Sequence, residues 1–175
     1  MMEIEKWLND VLEKKNKRAM PIITFPAATK LNISVKKLIN DTDQQVAALK
    51  IIKEECNPLA ILGFMDLSVE AECFGAEIKV TDNEVPTVVG QLIEDEDDAQ
   101  ALKVPAVGSG RSQLYIDAIK KTKAEIKDIP ILGGCIGPFS LAGRLMDVSE
   151  AMINCYEEPE MVHIVLEKAT KFLID

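Results

Sequence analysis

The sequence predicts an α/β fold, the N-terminal part of a (β/α)8 barrel with an inserted β-hairpin, forming one domain over residues 1–175. Three observations predict it. Compact apolar runs at 20–25 (MPIITF), 59–65 (LAILGFM) and 129–132 (IPIL) are too short for helices and do not alternate, the pattern of strands covered on both faces. Helical periodicity fills most of the intervals between and after them. The stretch 129–145, IPILGGCIGPFSLAGRL, runs from such a strand through Gly133, Gly134 and Gly137 into Pro138, which suits the first position of a helix because its missing N–H would have no partner there.

In chain order, Ile4, Trp7, Leu8, Val11 and Leu12 predict an amphipathic helix over 3–14, followed by the basic stretch Lys14 to Arg18. Met20 to Phe25 is read as a buried strand, broken by Pro26. Residues 27–40 are loop with one short helix. Asp41 or Asp43 caps a helix that runs to Cys56, striped by Val46, Leu49 and Ile52 and stopped by Asn57-Pro58. A second strand follows over Leu59 to Met65. Phe74-Gly75 closes a short segment after it, and 76–81 with 85–93 alternate as a hairpin that departs from the strand–helix rhythm.

The acidic run Glu94 to Asp98 is a solvated loop or helix start, and Gly108-Ser109-Gly110 connects it to a helix over Leu114 to Ile126. After the glycine turn the chain stays helical, over Val148 to Tyr156 and over Pro159 to Leu173. The single histidine, His163, stands beside the apolar stripe of the last helix without a partner in motif spacing and is left out of any site. Three parallel strands in 175 residues fall short of a barrel, which takes on the order of 250 residues, and the chain stops in mid-helix at Phe172 to Asp175. A truncated barrel is therefore expected.

Composition narrows the function. A net charge of −9 with its densest run acidic argues against a nucleic-acid groove, so no nucleic-acid partner is expected. The N-terminus has no apolar block of signal-peptide length, and no segment reaches the roughly 20 apolar residues of a membrane span, so a cytoplasmic protein is expected. Cys56, Cys73, Cys135 and Cys155 have no C-x-x-C spacing and no neighbouring His, and are read as small buried thiols.

Two places carry chemistry. Asp66 stands just past the strand 59–65, in the loop layer where α/β enzymes keep reactive groups; the plainer reading is a cap on the segment SVEAECFG, and the two are compatible. The glycine turn lies at the carboxyl end of the next parallel strand, and the free N–H groups of Phe139, Ser140 and Leu141 face that opening. Its spacing matches neither the dinucleotide fingerprint nor a P-loop. A turn that only packs is the alternative.

Three segments carry a resemblance. FMDLSVEAECFGAEI (64–78), GPFSLAGRLMD (137–147) and PEMVHIVLEKATKF (159–172) are similar to the uroporphyrinogen decarboxylase superfamily of (β/α)8 barrels. Within it they most resemble the methylcobamide:coenzyme M methyltransferase branch, in which D-L-x-V-E-A-E-x-x-G and G-P-F-x-L-A-G recur in this order. The resemblance covers most of residues 18–173. It implies transfer of a methyl group from methylcobamide, carried on a partner corrinoid protein, to a small-molecule thiol such as coenzyme M. Zinc activates that thiol in the branch, through a His-x-Cys pair and a distant Cys of the barrel's second half. None of the four cysteines here occupies that motif, so no metal ligand is assigned within the chain.

By the match, Asp66 is the catalytic, substrate-contacting carboxylate. Glu70, Gly137, Phe139, Ser140 and Arg144 are the expected substrate-binding residues. Uroporphyrinogen decarboxylation is the second reading. The decarboxylase's R-Q-A-G-R segment is replaced by Thr24 to Thr29 without arginine, Arg144 stands where a Tyr is usual, and few of the twenty basic residues lie near the mouth, all of which weigh against an octa-acid substrate. A non-catalytic, partner-binding fragment is the third; its open sheet edges and apolar surface would be covered by homo-oligomerisation.

Overall fold

The structure, a computed structural model, describes residues 4–175. Two segments form the parallel ladder: β1 (Ile61–Leu62) and β4 (Ile131–Leu132) pair in register Ile61 with Ile131 and Leu62 with Leu132. The N–H of Ile61 donates to the carbonyl of Pro130 and that of Gly63 to the carbonyl of Leu132, both at 2.9 Å. Both strands therefore end on the same side, and the loops that follow them are neighbours.

Helix α4 (Thr42–Cys56) packs against helix α7 (Ser112–Glu125) and flanks this ladder. Asp41, not Asp43, caps α4: its Oδ1 accepts from the N–H groups of Asp43 and Gln44, and Asn57 ends the helix in the left-handed region at φ 42°. Two short helices, α2 (Ala27–Leu31) and α3 (Val35–Ile39), fill the stretch read as loop with one helix. They bury Ala27, Ala28, Leu38 and Ile39 with Leu49, Ile52, Ile61 and Phe64 in one core. A second core lies beyond α5 (Val69–Cys73). There α8 (Pro138–Met146), α9 (Val148–Glu157) and α10 (Pro159–Ile174) bury Leu141, Leu145, Met161, Val165 and Phe172 against Phe74 and Ile93.

Between α5 and α7 the chain makes a separate antiparallel pair, β2 (Glu77–Lys79) with β3 (Thr87–Val89), and then α6 (Glu96–Ala101), whose N-cap Asp95 lies in the acidic run. Lys168 of α10 donates to the carbonyls of Ala99 and Gln100 at 2.6 and 2.7 Å, tying α6 to the second core. Gly143 lets α8 approach α9. A Cβ there would sit 3.2 Å from Val148 Cγ2 and 3.5 Å from Val148 Cα.

Two sequence expectations need correction, the strand at 20–25 with the strand count that includes it, and the burial of the cysteines. Met20–Phe25 is not a buried strand: it pairs with no strand among the described residues, and Ile22 and Ile23 are 61% and 42% exposed. Apolar content says only that a segment gains by being covered, whereas a strand also needs a neighbour for its N–H and C=O groups. Among the described residues two parallel strands are thus present rather than three, and two strands of two residues do not define a barrel by themselves. The first helix is found as α1 (Ile4–Glu13), without a buried residue; residue 3, where it was expected to open, lies outside the described residues. The cysteines are not buried thiols either. Cys56, Cys135 and Cys155 are exposed and Cys73 is half-buried, because two of them sit on the last turns of surface helices and Cys135 sits in the loop after β4.

Candidate functional site

The two loops that leave the ladder on its carboxyl side build the site. Past β1, Asp66 folds back on its own loop: its Oδ1 accepts from the Ser68 N–H at 3.1 Å and from the Ser68 hydroxyl at 2.6 Å, which sets the entry into α5. Its Oδ2 accepts from Arg111 Nη1 at 2.6 Å and from the Tyr115 hydroxyl at 2.7 Å. The Asp66 side chain has no exposed surface, and the Arg111 side chain is 8% exposed. Arg111 also donates from Nη2 to the Ser68 hydroxyl oxygen at 3.0 Å and from Nε to Glu72 at 2.6 Å. A carboxylate out of reach of water is thus satisfied by four donors and neutralised by a guanidinium that itself bridges two acids.

This network shapes the ionisation of its members. Burial disfavours the charged guanidinium, but the hydrogen bond and charge of Asp66 outweigh it and hold Arg111 above its ordinary range. Burial, then the charge of Asp66 and the hydrogen bond to it, keep the Tyr115 phenol firmly protonated, so it serves as a donor. Both residues come from one helical face: Arg111 is the N-cap of α7 and Tyr115 lies one turn further along.

Glu70, on α5, is held differently. Its Oε1 accepts from the N–H of Ile136 at 3.1 Å, a bond that ties α5 to the loop after β4. Burial and the neighbouring Asp66 raise its carboxyl above the ordinary glutamate range, against the lowering effect of that N–H and of Arg111. Beside it lies a cavity of about 270 Å³, lined by Phe64, Asp66, Glu70, Tyr115, Gly134 and Cys135 together with residues of α10. The cavity therefore sits at the seam between the two cores, with Phe64 from one and Phe172 from the other. Among the described residues, no lysine or arginine lines it.

Among the residues expected to bind substrate, Asp66 and Glu70 meet at this cavity together with Gly134 of the glycine turn. Gly137, Phe139, Ser140 and Arg144 do not line it. Gly137 caps α8, Phe139 and Ser140 face solvent, and Arg144 is half-buried on the same helix. Sequence reasoning missed Ser68, Arg111 and Tyr115. The available signal was Arg and Tyr at i and i+4 on a helix opened by a Gly/Ser connector, one face presenting two donors. Cys73 is not reactive here: its thiol donates to the carbonyls of Val69 and Ser109, and burial holds it protonated. Among the described residues, no group of three or more His, Cys, Asp and Glu is placed to hold a metal ion.

The topology and site define a class, an α/β protein with a cavity where adjacent parallel strands end, walled by a buried acid–guanidinium–phenol network. The family follows from comparison with known proteins. The chain belongs to the uroporphyrinogen decarboxylase (URO-D) family, whose model matches residues 16–175. It is similar to the methylcobamide:CoM methyltransferase MtbA of Methanosarcina acetivorans, at 39% identity over 82 residues, which is 46% of this chain and 24% of that protein. A uroporphyrinogen decarboxylase of Campylobacter concisus is 30% identical over 132 residues, 67% of this chain and 38% of that protein. In fold it resembles a methyltransferase from Methanosarcina mazei with a TM-score of 0.82 at 20% identity, over 98% of this chain and 53% of that one. The chain thus spans about half of the solved relative and less of the curated ones. No helix among the described residues is long and apolar enough to cross a membrane.

Proposed function

We propose that this chain is the substrate-binding portion of a methyltransferase that moves a methyl group from a methylcobamide, presented by a corrinoid protein, to a small thiol. Similarity to the MtbA protein supports the branch. The wall of the cavity carries the choice of this reading over tetrapyrrole decarboxylation. A polycarboxylate needs free cationic forks, yet the one nearby arginine, Arg111, is committed to Asp66 and Glu72, and the lining itself is acidic. The same wall offers no cation to a sulfonate, so the thiol end of an acceptor such as coenzyme M is the end that fits beside Glu70.

Zinc holds and deprotonates the thiol in the resembled branch. The described residues do not offer a ligand set that fits it, so its ligands are assigned outside residues 1–175 and no step is routed through a metal here. In this reading residues 1–175 form one barrel segment. Asp66, Ser68, Arg111 and Tyr115 set the shape and charge of the cavity, and Glu70 with Gly134 contacts the acceptor. Gly137, Phe139, Ser140 and Arg144 belong to the neighbouring rim, where the corrinoid protein docks.

The test is anaerobic incubation of the full protein with zinc, methylcobalamin and 2-mercaptoethanesulfonate, with parallel incubation on uroporphyrinogen. Loss of methylcobalamin absorption with formation of the methyl thioether is the expected result. Turnover of uroporphyrinogen alone would make the protein a decarboxylase, and turnover of neither would leave a partner-binding role.

A further inference from the structure

Asp66 has the sequence position of a catalytic carboxylate, but its oxygens are spent on four donors and its charge on Arg111. Glu70 has the opposite condition. One oxygen is anchored by the Ile136 N–H, and the carboxyl group is at the wall of the cavity. We propose that Glu70 is the proton acceptor of the site, taking the proton of a thiol that enters the cavity while Asp66 acts as the positioning residue behind it.

This rests on the methyl-transfer reading. The step balances: the S–H bond breaks as an O–H bond forms on Glu70, and the sulfur keeps the electron pair as a thiolate. The S–C bond then forms as the Co–C bond breaks, with that bond's pair staying on cobalt. A free alkyl thiol has a pKa of about 8.5; coordination to a zinc ion held outside residues 1–175 would lower it, but the proton released would still need an acceptor beside the sulfur. A carboxyl group raised by burial takes up a proton more readily than an exposed one and returns it to water once the methylated product leaves.

The charged and titratable groups around Glu70 fit this division of labour. Asp66 raises its proton affinity across the cavity wall, and Arg111 lowers it from α7. Glu72, on the same helix, and the Tyr115 phenol are both tied into the Arg111 network. Cys135 and Asp175 complete the titratable lining of the cavity. The Ile136 N–H keeps the carboxyl group from swinging away, so its second oxygen is the one offered to a ligand.

Three measurements test it. Glu70→Gln retains an oxygen for the Ile136 N–H, so the fold is kept while the proton acceptor is lost. It should lower kcat for methylcobalamin with 2-mercaptoethanesulfonate by about 10²- to 10⁴-fold, with the KM for the thiol little changed and the acid limb of the pH–rate profile gone. Glu70→Asp should keep that limb and part of the rate. In the wild-type protein, the Glu70 side-chain carboxyl carbon should titrate by NMR above the ordinary glutamate range. A Glu70→Gln rate within about tenfold of wild type with the acid limb unmoved, or a Glu70 titration at or below the ordinary range, overturns the assignment and leaves the methyl-transfer reading standing. Wild-type protein that consumes no methylcobalamin overturns both.

Discussion

Removing the Arg111 guanidinium should unfold the site from within. Asp66 has no exposed side-chain surface, and the Arg111 Nη1 that neutralises it lies 2.6 Å away. At an effective dielectric of about 20, that separation corresponds to roughly 6 kcal/mol of attraction. Desolvating both ions offsets most of it, so the intact pair contributes little net stability. Deleting one partner is different, because Arg111→Met leaves the Asp66 charge buried with only the Ser68 and Tyr115 donors. The expected loss is about 3–5 kcal/mol in urea unfolding followed by far-ultraviolet circular dichroism near neutral pH.

Asp66→Asn should cost less. Arg111 keeps Glu72 at 2.6 Å as a counter-ion, and the new amide oxygen still accepts from Ser68. The double variant should therefore lose less than the sum of the singles by at least about 1 kcal/mol. An Arg111→Met loss below about 1 kcal/mol, or an additive cycle, would refute the account of a buried, mutually dependent pair.

Two other outcomes follow from the same structure. Because burial raises the Glu70 carboxyl, the folded protein holds that proton more tightly than the unfolded chain, and stability is lost as pH climbs from the ordinary glutamate range through the raised folded value. Glu70→Gln should therefore gain stability relative to wild type between about pH 4 and about pH 8, read as denaturation midpoints at the two pH values; a constant gap would contradict it. Gln45 of α4 is fully buried, and among the described residues neither amide atom has a hydrogen-bond partner, so Gln45→Met should raise the urea-unfolding stability by about 1 kcal/mol or more, and a loss would show that the amide has a partner in solution.

Sequence alone determined what local chemistry can specify. Helix α4 was readable from its apolar stripe, its aspartate cap and the Asn57-Pro58 stop, and α8 from glycine followed by Pro138. Asp66 and the glycine turn were legible as ends of parallel strands because turn residues after an apolar run are short-range signals. Family membership was legible too, from motifs at 64–78 and 137–147, and the match to residues 16–175 bears it out.

Only the tertiary structure decided which of those residues meet, and in what state. Met20–Phe25 has strand composition but no ladder partner among the described residues, since pairing depends on distant chain and not on the segment itself. Arg111 stands 45 positions from Asp66 in sequence, and no periodicity links them; the packing of α7 against α5 and β4 places its guanidinium on the carboxylate. Glu70 is bonded to an N–H 66 positions away. Whether a carboxylate is spent on buried partners or left at a cavity wall is set by desolvation and neighbouring charge, which exist only once the chain has closed around it.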